Sequence, residues 1–169
     1  MKYENEIFKI LCTLSLLTIL SIFFINKCQA QTWTATDMNG TSYDLANYSN
    51  KATLVDLSAH WCGPCWGWHT GGVMEELYHD FGPDGTDEFM VFFIDGDAGS
   101  SVAILNGAGS SQGDWVTGTP YPLIGPNGQG SSVASNYTFP GYPTLFLHCG
   151  TGIAPEIDRN EKWVFWNDV

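Results

Sequence analysis

The chain has 169 residues, 44% of them hydrophobic, and 18 acidic residues against six lysines and arginines, for a formal net charge of −12. That balance excludes a nucleic-acid binder, which needs basic contacts to phosphate, and disfavours an anionic membrane surface. The length allows one domain with a real core, and the acidity itself serves solubility.

The first 30 residues read as a secretory signal. Lys2 and Lys9 lie in a short polar start, Ile10 to Ile25 is an apolar run, and small residues follow at Cys28 and Ala30. Cleavage after Ala30 is expected, which places the protein in the periplasm or outside the cell. The alternative is a retained anchor facing the periplasm; the apolar run is slightly short for a full span. Beyond residue 30 only Lys51, Arg159 and Lys162 are basic, and the cysteines are Cys62, Cys65 and Cys149. Cys149 is expected as a small buried apolar side chain.

Residues 31–169 are expected to form one domain. Trp33 to Tyr48 predicts a hairpin turning at Asn39-Gly40. Ala52 to Ala59 is a compact apolar run holding one charge, Asp56, and predicts a buried central strand. Val73, Met74, Leu77 and Tyr78 recur at helical spacing, predicting a helix from about Cys65 to Phe81 that Gly71-Gly72 weakens. Phe89 to Ile94 predicts a second buried strand. From Gly96 to Pro140 the chain is rich in Gly, Ser and Pro; short elements are expected at Val102–Leu105, Tyr121–Ile124 and Ser131–Tyr137. Thr144 to His148 predicts a third buried strand and Ile153 to Ile157 a fourth. Glu161 to Val169 begins a last helix, expected to be short or missing.

The chemistry centres on Trp61-Cys62-Gly63-Pro64-Cys65. Two cysteines two residues apart can close a tight disulfide, and the pattern around them places the pair at a helix start. There, free N–H groups favour a thiolate. A purely structural bond is the weaker reading, because so small a loop restrains little unfolded-chain entropy. Zinc on Cys62, Cys65 and His69 lacks a clear fourth ligand, so no metal is expected. Asp56 lies six residues before Cys62 inside an apolar strand; desolvation would raise its pKa and suit it to exchange a proton with Cys65. His60 either stabilises the thiolate as an imidazolium or faces solvent at the strand end.

Residues Val55 to Cys65 closely resemble the active-site segment of thioredoxin, and Gly141-Tyr142-Pro143-Thr144 resembles that family's cis-proline loop. The hairpin and the long segment between Ile94 and Pro143 resemble the exported TlpA/ResA-like branch. The resemblance implies an α/β thioredoxin-like fold: a central mixed sheet flanked by helices, with an N-terminal β-hairpin and a Gly/Ser-rich insertion before the cis-proline strand. It implies Cys62 as an exposed attacking thiol, Cys65 as the buried resolving thiol and Asp56 as the proton acceptor. Trp61, Gly63, Pro64, Tyr142 and Pro143 would contact substrate. The implied partners are protein disulfides or dithiols and an upstream thiol donor or acceptor, with no cofactor beyond the redox-active Cys62–Cys65 pair. Trp66 and Trp68 depart from thioredoxin and suggest an apolar rim or core packing. Two other functions fit the same fold: a thiol peroxidase, or a secreted binding module without turnover.

Overall fold

The structure is a computed structural model, and it describes residues 32–149 and 152–153. The signal segment and the expected helix at Glu161–Val169 lie outside those residues.

The chain opens with an antiparallel hairpin, β1 (Thr34–Thr36) and β2 (Ser42–Asp44). Asp37 Oδ1 closes the turn by accepting the N–H groups of Asn39 and Thr41, and Gly40 supplies a φ of +85°. A single 3-10 turn (Leu45–Tyr48), capped by Asp44, leads into β3 (Ala52–Ser58). After β3 come α1 (Gly63–His69), α2 (Val73–Phe81), β4 (Phe89–Asp95), α3 (Val102–Leu105), β5 (Leu123–Ile124), α4 (Gln129–Ala134), β6 (Thr144–Cys149) and β7 (Gly152–Ile153).

The five-stranded sheet has the order β5-β4-β3-β6-β7. β3, β4 and β5 run parallel, whereas β6 pairs antiparallel with β3 and β7 antiparallel with β6, so the sheet is mixed. β3 sits at its centre, with Asp56 opposite Phe93 on one side and Leu145 on the other. Because successive side chains point to opposite faces, the continuous apolar runs of β3 and β4 feed two cores. Val55, Leu57, Phe92 and Ile94 pack with Trp33, Val133 and Phe146 on one face. Leu54, Val91 and Phe93 pack with Cys65, Met74, Trp115 and Tyr121 on the other. Burying each of these large side chains contributes roughly 1.5–3 kcal/mol.

The single helix expected over Cys65–Phe81 is two helices. Thr70 ends α1 by returning both its N–H and its Oγ1 to the Trp66 carbonyl, and Gly72, at φ +78°, turns the chain into α2. The first helix also starts earlier than expected, because Cys62 caps it and Pro64 fits its first turn. The strand expected from Tyr121 is confined to Leu123–Ile124, after Pro122, which has no N–H to give a ladder. The helical segment expected at Ser131 begins at Gln129 and ends at Ala134, followed by turn bonds from Asn136 and Tyr137. Of the expected fourth strand, Gly152–Ile153 is described and the remainder lies outside the described residues.

Candidate active site

β3 delivers the site. It ends at Ser58, the chain passes through buried Ala59 and His60, and Cys62 opens α1. Cys62 N–H donates to the Ala59 carbonyl at 2.9 Å, which fixes the approach to the helix. Cys62 and Cys65 are joined by a disulfide with Cα atoms 5.2 Å apart. The Cys65 N–H points at Cys62 Sγ, 3.3 Å away, and would remain there as a donor to a thiolate. Gly63 and Pro64 stand exposed beside the bond.

The structure corrects the expectation of an exposed Cys62. It is 5% accessible and Cys65 is 0% accessible. The cause is packing: Cys62 sits within the apolar cluster that holds Cys65, and Tyr142 packs on that cluster too. Trp61, 46% exposed, meets Tyr142 edge to face with ring centroids 6.2 Å apart. Cys62 keeps slight accessibility and Cys65 none, so the order of the two cysteines is as expected although the degree of exposure is not.

The approach to Cys62 is held by Asp95, Asp97 and Gln112, which give no sequence signal of their own. His60 is buried, and its Nδ1 lies 2.9 Å from Asp95 Oδ2 at the end of β4. The solvent-facing alternative for His60 is thereby overturned: its ring is tied to a carboxylate in the interior. Trp61 Nε1 donates to Asp97 Oδ2 at 2.8 Å. Gln112 grips the same stretch twice, its N–H donating to the His60 carbonyl and its Nε2 to the Trp61 carbonyl, each at 2.9 Å. Asp97 is held below the ordinary carboxylate range, chiefly by the Trp61 bond and then by the Gly99 N–H.

Asp56 is fully buried in β3. Its Oδ1 accepts from Ser58 Oγ at 2.7 Å, and its Oδ2 has no hydrogen-bond partner among the described residues. Burial pushes its carboxyl up to about 7; the Ser58 bond opposes this and the Glu75 charge adds to it. Asp56 shares its sheet face with Leu54, which packs in the Cys65 cluster, because residues of equal parity in a strand point the same way. His69, at the end of α1, is buried against Trp66, Trp115 and Phe93. Desolvation lowers its pKa.

The Tyr142–Pro143 peptide bond is cis, and Pro143 is buried. Tyr142 packs against both cores, and its ring occupies the space where a side chain at Gly96 would have to go. Trp66 and Trp68 are half-buried and pack on the Cys65 cluster, which favours core packing over an open rim. Trp66 meets the fully buried Trp115 edge to face at 5.0 Å. Cys149 closes β6, and its side chain lies outside the described residues.

Among the described residues no group of three or more His, Cys, Asp and Glu side chains is placed to hold a metal ion. None of the described helices is long and apolar enough to cross a membrane.

No family model matches the sequence, and no curated protein matches it. Solved structures do resemble the fold. A candidate protein disulfide isomerase from Bacteroides thetaiotaomicron superposes with a TM-score of 0.62 at 18% identity, over 82% of this chain and 83% of that one. A thiol-disulfide oxidoreductase from Bacteroides fragilis gives 0.58 at 16% identity, over 82% and 96%. The exposed lipoprotein thioredoxin of Streptococcus pneumoniae gives 0.54 at 16% identity, over 82% and 99%. At such identities the likeness is one of architecture. With its mixed sheet, its cysteine pair at the mouth of α1 and its cis-proline loop beside β6, this chain has the thioredoxin-like fold.

Proposed function

We propose that the protein is an exported thiol–disulfide oxidoreductase that exchanges disulfides with protein substrates through Cys62 and Cys65. The observation that carries this reading is the bonded pair at the start of α1, with a backbone N–H aimed at the outer sulfur and a buried carboxylate on the same side of the sheet. In the reducing direction, the Cys62 thiolate attacks one sulfur of a substrate disulfide and expels the other as a thiolate. Cys65 loses its proton to Asp56 and attacks Cys62 Sγ. The substrate leaves as a dithiol, having gained two electrons, and the protein is left with the Cys62–Cys65 disulfide. An upstream thiol donor returns it to the dithiol, so the electrons need no carrier beyond the two sulfurs. Trp61, Gly63, Pro64, Tyr142 and Pro143 would form the surface that an extended substrate segment meets, a reading supported by the edge-to-face contact of Trp61 with Tyr142.

Export rests on the apolar leader and on the exposed lipoprotein thioredoxin among the structural neighbours. The reaction is tested by dithiothreitol-driven reduction of insulin. The purified protein should accelerate it and a Cys62→Ser variant should not; equal rates with and without protein would refute the reading. Export is tested by the mass of the mature chain, expected to begin at Gln31.

A further inference from the structure

Cys62 hangs on a turn that is held from far along the chain. Ala59 to Cys62 close that turn through the Cys62 N–H, which donates to the Ala59 carbonyl at 2.9 Å, with His60 and Trp61 at its two corners. One residue takes both corner carbonyls. The Gln112 N–H donates to the His60 carbonyl and Gln112 Nε2 to the Trp61 carbonyl, each at 2.9 Å. Only the nitrogen end of the amide can donate, so this bond also sets which way the amide faces. The Asp95 carboxylate takes the other corner groups, the His60 N–H at 3.3 Å and the His60 ring at 2.9 Å. The peptide unit that joins Trp61 to Cys62 is therefore fixed at both ends, its oxygen by Gln112 and its N–H by Ala59. Gln112 is exposed, but its neighbours are anchored. Ser111 Oγ donates to the Gly113 carbonyl at 2.8 Å and accepts from Nε1 of the wholly buried Trp115 at 3.0 Å. Gly113 lies against the Trp66 ring. A side chain on so firm a base loses less freedom when it bonds.

We propose that Gln112 is a positioning residue for disulfide exchange: by pinning the Trp61–Cys62 peptide it holds Cys62 where Cys65 can reach its sulfur. This rests on the exchange reaction proposed above. The bonded pair holds its Cα atoms 5.2 Å apart. A disulfide tolerates only a narrow window of such distances, whereas two free thiols impose none. A clamp on the Cys62 backbone therefore favours the closed pair over the open one and raises the effective concentration of one sulfur at the other. In the closing step the Cys65 thiolate attacks Cys62 Sγ of the mixed disulfide. The Cys62–Cys65 bond forms, the bond to the substrate sulfur breaks, and that sulfur leaves as a thiolate with the electron pair. Gln112 touches none of these atoms. Its bond is open to water, which keeps its effect modest.

The test is the redox potential of the pair, read by equilibrating the purified protein with mixtures of reduced and oxidised glutathione. Gln112→Met keeps the length of the side chain and loses the donor. It should lower the equilibrium constant for closing the pair by about fivefold, which moves the potential upward by about 20 mV at roughly 30 mV per tenfold. A residue that only stabilised the fold would support the oxidised and reduced forms alike, and its loss would leave the potential where it was. Stopped flow of the reduced protein with dithiobis(nitrobenzoate) gives the rates. The first coloured thiolate, released when Cys62 forms the mixed disulfide, should appear at the wild-type rate; the second, released when Cys65 closes the pair, should slow by about the same factor as the equilibrium constant falls. Gln112→Asn, whose amide is one methylene short of the Trp61 carbonyl, should reproduce both shifts, and it decides the matter if Gln112→Met fails to give a folded near-ultraviolet spectrum. A wild-type potential and second release in both variants overturn the positioning role and leave the exchange reading standing. A wild-type pair that never equilibrates with glutathione overturns both.

Discussion

Asp56 shows how one buried charge reaches both stability and chemistry. Its pKa stands at about 7 rather than the ordinary 3.8. Between those two pH values the folded protein binds more protons at this site than the unfolded chain, so stability falls as pH rises and the whole penalty is present above about 7. Its size is on the order of a few kcal/mol, since each pKa unit is worth roughly 1.4 kcal/mol. His69 and His148, whose pKa values burial lowers, act in the opposite sense as pH rises toward 6.5. The difference between wild type and Asp56→Asn isolates the carboxylate. Urea midpoints should converge near pH 4, diverge in favour of the variant as pH climbs toward 7 and stay apart above it, while the variant resolves mixed disulfides more slowly. Parallel midpoints across that range would show that Asp56 is not neutral when folded. This residue was legible in the sequence because a lone acid interrupts an apolar strand. The bond between Glu75 and Tyr121 was not: an acid in the first turn of an amphipathic helix looks like an ordinary dipole-complementing residue, and a tyrosine opening a short expected strand carries no sign of its partner. Only the packing of α2 against the sheet brings them together.

At the scale of elements, the strands and the short helix at Val102–Leu105 could be read, whereas the packing of the rest of the insertion could not, for a common physical reason. β3, β4 and β6 are continuous apolar runs because both of their faces are covered, and this mark survives in one dimension. The segment from Gly96 to Pro122 carries no period, since its side chains answer to distant partners. Gln112 holds the carbonyls of His60 and Trp61, some fifty residues earlier. Gly113 lets the Trp66 indole lie against the backbone, where any Cβ would collide with the ring. Trp115 plugs the space among Trp66, His69 and Phe93 with no exposure at all. What looked like loose insertion is the outer wall of the active-site helix. Trp115→Ala should therefore cost about 3–5 kcal/mol, the usual range for emptying a large aromatic from a core, read as a lowered denaturant midpoint. A loss below about 0.5 kcal/mol, the range of surface substitutions, would mean that the wall is not packed as described. The break between α1 and α2 belongs to the same scale: the glycine pair announced a weakness, and the left-handed Gly72 makes it a boundary.

Across the whole molecule, acidic charge outweighs every other surface property. Lys51 is the only lysine or arginine among the described residues, where acidic side chains number twelve, and it is already paired with Asp87. Asp97 sits beside Trp61 at the opening to Cys62, and Asp114 is exposed two residues beyond Gln112. A disulfide approaching Cys62 therefore meets a negative field, unscreened at low ionic strength and cut to a range of about 8 Å at physiological salt. The sign of the reagent decides the effect. Reduced protein should react with cystamine, a dication, several-fold more slowly as salt is raised from about 0.01 to about 0.3 M, because an attraction is being screened. The dianionic dithiobis(nitrobenzoate) should react faster over the same range, and neutral hydroxyethyl disulfide should hardly change. Three reagents of different leaving-group chemistry cannot be ranked by absolute rate, but each serves as its own control against salt. If all three followed the same trend, the field at Cys62 would be set by something other than the acidic surface. Opposite slopes would fix the chemistry of preferred substrates as cationic around the disulfide they present.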